Sequence, residues 1–361
     1  MKFFATAPFS LEKPVKLELE KLNINVLNVA EGKVYFEATV DEVAHAMVNL
    51  RCADRVYLLV AEFTAKTFDE LFDNIARIKW QNYVSKNGKI NVSATCARSQ
   101  LMSRSDVQKI AKKAIVKALG LKILPENKEE YPIDVHINRD NVCIAIDCCG
   151  QGLHKRGYRV KNAEAPLRET FASGLISLAG YRRAKVLVDP FCGSGTIPIE
   201  AAMYALNIAP GANRKFVCEE FINFKSFDFA RAQAKAKQID CDVKIYASDI
   251  SPQMCDLTRY HAQRAGVDKY IKVSCLTASK VFPNEESGII ITNPPYGMRL
   301  EDKDIAFELN ALCKNFALWQ KYILTSNKNI EREIGIYSSK KRRVYNGNIE
   351  CNFLLFENNK K

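Results

Sequence analysis

The sequence predicts an α/β protein in three parts: two α+β modules, then a mostly parallel, doubly wound sheet with an antiparallel edge. Three observations carry this. The length, 361 residues, exceeds one ordinary core. Beyond Lys161, apolar strands alternate with helical periodicity, as in a parallel sheet wrapped by helices. The final apolar runs flank Asn346-Gly347, a two-residue hairpin signal.

Residues 1–64 parse as β-α-β-β-α-β. Phe3–Ala5 is a strand. Leu11–Leu22 is a helix with Leu11, Val15, Leu19 and Leu22 on one side. Asn25–Ala30 and Lys33–Ala38 are strands around Glu31-Gly32. Asp41–Asn49 is the second helix and Arg55–Phe63 the fourth strand. That order is the ferredoxin-like plait.

Residues 65–160 form a second unit. Phe68–Ile78 is helical and Lys89–Ala94 alternates as a strand. Ser105 caps the next helix, whose apolar stripe is Val107, Ile110, Ala111, Ala114, Ile115 and Leu119. Lys109, Lys112, Lys113 and Lys117 fall on its other faces, and Gly120 ends it. Ile133–Asn138 and Val142–Asp147 pair across a short turn.

Residues 161–361 hold the third unit. Its strands are Lys185–Val188, Val243–Ala247, Tyr270–Val273, Gly288–Thr292 and Lys321–Thr325. Its helices are Ile197–Leu206, Pro252–Ala265 and Ile305–Phe316. Arg343–Asn346 and Asn348–Phe356 close it as a hairpin. An insertion spans about Pro210 to Asp240, with a helix near Asp228–Lys237.

Hydrophobic residues make up 47% and charged residues 26%, a globular composition. No apolar run reaches the roughly 18 residues that span a membrane, and MKFFATAPFSLEKP reads as a first strand, not a secretory signal. The 12 cysteines are scattered without a C-x-x-C pair, as in reduced thiols of a cytoplasmic protein. His45, His136, His154 and His261 share no metal-ligand spacing, so no metal is expected. Net charge is +12, and the window Arg77–Lys122 holds eleven basic residues against one acid, Asp106. Such a block suits a polyanionic partner or a solvated face.

VLVDPFCGSGTIPIE places Asp189, Gly193 and Gly195 at the carboxyl end of a strand, where glycines admit a ligand to the backbone. Gly195-Thr196-Ile197 lacks the lysine of a nucleoside-triphosphate loop, and Pro198 replaces the third glycine of a dinucleotide loop. S-adenosylmethionine fits: it has no pyrophosphate, and Asp189 suits its positive charge. A tight β-α turn is the bland alternative. Asp249, at the end of the next strand, is placed to hold ribose hydroxyls or to cap a helix.

TNPPYG, Thr292–Gly297, follows the apolar run Gly288–Ile291. Asn293 offers an amide oxygen and Pro294 a carbonyl, while Pro295 stiffens the turn. Two acceptors at one point bind an exocyclic amine and turn its lone pair outward. Tyr296 offers a face for stacking on the attached base. Beside a sulfonium methyl this is a methyl-transfer site for an amino nitrogen; otherwise it is a proline-stiffened turn.

DPFCGSGT followed by NPPYG resembles the class I amino-methyltransferases. With LHKRGYR (Leu153–Arg159) and APLRET (Ala165–Thr170), the whole chain resembles the bacterial THUMP-domain guanine-N2 RNA methyltransferases of the large-subunit ribosomal RNA type. The resemblance implies a ferredoxin-like piece, a THUMP domain and a seven-stranded Rossmann-like catalytic domain. It implies S-adenosylmethionine held by Asp189, Phe191, Gly193, Gly195, Thr196, Asp249, Ile250, Thr277 and Asn293. Asn293, Pro294, Pro295 and Tyr296 are the implied residues at the target base. The implied partner is structured RNA, 23S ribosomal RNA or a pre-ribosomal particle, met by the lysines of the basic helix. Lys155, Arg156 and Arg159 either contact RNA phosphate or lock the domains together. One departure stands out. The family commonly carries an acid after the fourth strand to hold the adenine amine, and here that place reads Cys275-Leu276-Thr277-Ala278-Ser279. Competing readings are a transfer-RNA, DNA or protein-glutamine methyltransferase, and a non-catalytic ribosome-assembly protein.

Overall fold

The computed structural model describes residues 1–159, 167–182, 186–221, 224, 226–295 and 302–357. Lys161, Ala165, Lys185, Tyr296 and Gly297, all used in the sequence reading, lie outside them.

The first module runs β1 (Lys2–Thr6), α1 (Glu12–Lys21), β2 (Asn25–Ala30), β3 (Lys33–Glu37), α2 (Val40–Asn49) and β4 (Arg55–Thr64). The second adds α3 (Phe68–Ala76), β5 (Lys89–Ala97), α4 (Arg104–Ala118), β6 (Glu130–Asn138) and β7 (Asn141–Asp147). Capping boxes start α2 at Thr39/Glu42 and α3 at Thr67/Glu70, each satisfying orphan N–H groups. Ser103, not Ser105, precedes α4. Its hydroxyl bonds the Asp106 carboxylate at 2.5 Å, and the helix begins at Arg104, two residues earlier than a Ser105 cap would place it.

The two modules share one seven-stranded sheet, ordered β2-β3-β1-β4-β7-β6-β5. β4 joins them, pairing antiparallel with β1 on one side and β7 on the other. A cut at residue 64 therefore falls within a continuous sheet and core.

The third module runs α5 (Glu169–Leu178), β8 (Val186–Asp189), α6 (Thr196–Ala205), α7 (Phe227–Ala236), β9 (Ile245–Asp249), α8 (Pro252–Ala265), β10 (Ile271–Cys275), β11 (Gly288–Thr292), α9 (Asp302–Asn315), β12 (Gln320–Thr325), α10 (Ile330–Ile334), β13 (Lys340–Asn346) and β14 (Ile349–Phe356). Its sheet order is β10-β9-β8-β11-β12-β14-β13. Pairing is parallel from β10 to β12, and β14 is antiparallel to both neighbours. Asn346 pairs with Ile349, so the hairpin turn is Gly347-Asn348, one residue later than expected. Gly347 supplies the positive φ of 63°.

The insertion after α6 belongs to the first core, not the third. Phe216, Phe221, Phe227, Ala230 and Ala234 pack with the interior of the N-terminal sheet. In return, Leu11 of the first module is buried in the catalytic core. The modules thus exchange apolar surface, which opposes independent motion.

Candidate active site

Four parallel strands end side by side, at Asp189, Asp249, Cys275 and Thr292. Strand order reverses between β8 and β11, which opens the crevice where ligands bind in such sheets. Buried Ile and Val residues on β8 and β11 fix these ends rigidly.

Asp189 is buried at 1% exposure. Its Oδ1 accepts from the Thr292 hydroxyl at 2.7 Å and from Phe191 N–H at 3.3 Å. Burial pushes its pKa up to about 7, against the pull of those hydrogen bonds. Asp189 braces the loop from behind and does not line the adjoining cavity, unlike the direct charge partner the sequence suggests.

Gly193 and Gly195 take φ of 53° and 85°. A Cβ on Gly195 would lie 2.7 Å from Thr258 Cγ2, so backbone and packing both require glycine there. Thr196 is buried, with its hydroxyl bonded to Arg159 and 3.4 Å from the Leu167 carbonyl. These three residues shape the loop and stand outside the cavity lining.

Asp249 faces the ligand side. Its Oδ2 accepts from Gly193 N–H at 3.0 Å and its Oδ1 from Ser251 N–H at 2.9 Å. Each oxygen keeps a further lone pair for a hydroxyl. Helix capping falls to Ser251, which accepts from Met254 N–H.

A cavity of about 300 Å³ lies between these strand ends and α9. Phe191, Asp249, Ile250 and Thr277, four of the residues expected to hold the cofactor, line it together with Pro295, expected at the target base, and with Glu308. Ile250, Leu276 and Phe307 are 64%, 39% and 69% exposed at its walls, an apolar slot suited to a flat ring.

Glu308 escapes the sequence reading. Its carboxylate accepts from Ser279 N–H at 2.6 Å and the Ser279 hydroxyl at 3.1 Å, and Thr277 Oγ1 lies 3.2 Å from that hydroxyl. An acid therefore does stand at the end of β10, delivered by α9 from 29 positions along the chain. No local signal marks it.

Among the described residues Asn293 Oδ1 is buried without a hydrogen-bond partner, and Pro294 beside it is buried. A buried acceptor without a donor costs on the order of 1–3 kcal/mol, so it is expected to find one in a bound molecule. Carboxylate, apolar slot and orphan acceptor together fit an adenosyl group and a neighbouring amine.

The expected RNA contacts divide. Lys109, Lys113 and Lys117 are exposed on α4, whereas Lys112 pairs with Glu126 at 2.5 Å. Lys155 is exposed. Arg156 is buried and committed: it pairs with Glu200 at 3.4 Å and donates to the Leu153 and Arg51 carbonyls. Arg159 pairs with Glu169 at 3.4 Å and donates to the Leu167 carbonyl. Of the two readings left open for these arginines, the domain lock is the one their burial and pairing allow.

Three family models match in chain order. The RlmL ferredoxin-like domain covers residues 2–57, the THUMP domain 65–147, and the RMKL-like methyltransferase domain 156–354. The "Putative RNA methyltransferase YpsC" of Bacillus subtilis (strain 168) is 39% identical over 98% of this chain and 94% of its own. The "Ribosomal RNA large subunit methyltransferase K/L" of Shewanella loihica is 31% identical over 99% of this chain. The chain spans 53% of that relative's length. The solved structure of SMU.472, a "putative methyltransferase complexed with SAH", superposes with a TM-score of 0.94 at 33% identity, covering 100% of this chain and 98% of the other.

Proposed function

The chain belongs to the RMKL-like methyltransferase family, and from that premise we propose that it methylates the exocyclic N2 amine of a guanine in structured RNA, 23S ribosomal RNA. The donor is S-adenosylmethionine, whose sulfonium supplies an electrophilic methyl when bound. The observation that carries the reading is Asn293 Oδ1 at the end of β11, buried without a partner among the described residues and next to the cavity that Asp249 lines. The choice of guanine N2 rests on the resemblance of NPPYG, LHKRGYR and APLRET. The choice of large-subunit RNA rests on that and on the K/L relatives.

In this reading Asp249 accepts the ribose hydroxyls, Ile250 and Leu276 flank the adenine, and Glu308 supplies the acid near its amine. Asn293 Oδ1 and the Pro294 carbonyl accept the two N–H groups of the target amine and aim its lone pair at the methyl carbon. Positioning then provides most of the rate. Pro295 holds the turn, and Tyr296 stacks on the base. No strong general base is needed, since the ammonium formed sheds its proton readily to water. We divide the chain at 1–64, 65–160 and 161–361, with RNA meeting Lys109, Lys113 and Lys117 of the second module. We place the reaction in the cytoplasm.

Mass spectrometry of ribosomal and transfer RNA nucleosides, from cells with and without the protein, tests this. Loss of one N2-methylguanosine from 23S RNA is expected. Loss confined to transfer RNA, or no loss, would overturn it.

A further inference from the structure

A cavity of about 730 Å³ opens where the second module meets the catalytic one. Lys155, Arg168 and Lys215 line it and are exposed, and Arg214 lines it half-buried. Among the described residues none of these four forms an ion pair. Arg156 and Arg159, deeper in the wall, are already paired with Glu200 and Glu169. Among the described residues Glu220 is the one lining acid outside those pairs.

Arg214 is held in place. It donates to the carbonyls of Gly152 at 2.8 Å and Lys155 at 3.3 Å, also reaching those of Gln151 and Cys149. Its guanidinium sits 4.9 Å from the Phe216 ring centre. It therefore clamps the loop that presents Lys155. Burial, with the nearby charges of Arg168, Lys155, Arg156 and Arg55, pushes the His154 pKa down to about 4. The imidazole is neutral at physiological pH, and the wall around it is positive.

Clustered like charges without carboxylate partners repel one another, and an anion relieves that. Small anions do not need so wide a space. A phosphodiester chain does, because the cations come from three separate segments around the rim. The cleft also shares a wall with the glycine loop: Arg159, which lines it, bonds the hydroxyl of Thr196 at the start of α6. Phosphates held here would thus be fixed relative to the catalytic cavity.

We propose that this junction cleft grips the backbone of the substrate RNA, with Lys155, Arg168 and Lys215 on phosphates and Arg214 holding its shape. The proposal rests on the RNA reading above and adds a second contact surface to that of α4.

The test compares the full chain with an Arg168→Gln/Lys215→Gln double variant, binding a 23S ribosomal RNA transcript across a salt series. Both side chains are exposed, so an unchanged melting temperature checks the fold, and Lys215→Gln alone serves as a milder second variant. Affinity should fall about tenfold or more at moderate salt. The log–log salt slope should flatten by about 0.7–0.9 per lost phosphate contact. KM for RNA should rise, with cofactor affinity and the single-turnover rate at saturating RNA retained. A Kd and slope equal to wild type would overturn the cleft while leaving the RNA reading intact, particularly if a Lys109→Gln/Lys113→Gln/Lys117→Gln variant does lose affinity. A wild-type chain that binds S-adenosylmethionine but neither binds nor methylates the transcript would overturn the RNA reading, and the cleft with it.

Discussion

The Thr292 hydroxyl donates to Asp189 Oδ1 at 2.7 Å, and both side chains are buried. This bond ties the end of β11, where the target amine would be held, to the end of β8, where the glycine loop begins. Thr292→Val keeps the shape and removes the donor. We expect a stability loss of about 1–3 kcal/mol by denaturant titration, since Asp189 is left under-bonded. The methyl-transfer rate should fall with little change in cofactor affinity, because Asn293 is the next residue. A stable variant with a normal rate would show that the two strand ends are held by β-pairing alone.

Asp189 also gives stability a pH dependence. Its folded pKa of about 7 lies above the ordinary 3.8. Between those values the folded chain keeps a proton that the unfolded chain releases. The contribution is full below about pH 4 and is lost as pH rises through 7. Asp189→Asn carries no charge at any pH. Its stability relative to wild type should therefore improve from pH 5 to pH 7, by at most about 1.4 kcal/mol per pH unit. A difference that stays flat across this range would mean Asp189 is ionised throughout.

Cofactor affinity should depend on two acids far apart in sequence. Asp249→Asn should weaken S-adenosylmethionine binding by about 1.5–3 kcal/mol in calorimetry, as charge-assisted hydrogen bonds become neutral ones. Glu308→Gln should weaken it by a smaller factor, about tenfold or less. Full affinity in Glu308→Gln would mean that Glu308 does not hold the adenine amine and would leave the Thr277 and Ser279 hydroxyls as its partners.

Much of this was legible in the chain because the relevant signals are local. Gly193 and Gly195 betray a turn that only glycine accepts, and β11 with Asn293-Pro294-Pro295 reads as a strand with a stiff end. The strand order around β8 follows from alternation of strands and helices. What was not legible is long-range. Glu308 reaches Ser279 from the far side of the cavity, and a mid-helix glutamate reads as a solvated face. Arg156 looks like an RNA contact in a basic motif until the fold sets Glu200 against it. The phenylalanines after α6 read as a loop insertion, yet they fill the first module's core.

Arg156 lies at the meeting of all three modules, bonded to Glu200 of α6 and to the Arg51 carbonyl. Tyr158 and Ser173 complete the shell of Glu200, at 3.2 and 2.6 Å. Arg156→Gln leaves that carboxylate buried without its cation. We expect a loss of about 3–5 kcal/mol in chemical unfolding. The salt slope of RNA binding should not change, since this guanidinium does not face solvent. A stable variant with a flattened slope would return Arg156 to the RNA surface.

In the proposed reaction Asn293 orients an amine for methyl transfer. Single-turnover transfer to guanine N2 of a 23S ribosomal RNA transcript, at saturating S-adenosylmethionine, tests it most directly. Asn293→Ala removes the orphan acceptor, whose bond strengthens as the nitrogen gains positive charge. We expect a rate lower by about 10²–10³, with cofactor affinity unchanged. A rate near wild type, on guanine N2, would contradict it and leave Asn293-Pro294-Pro295 as a structural turn.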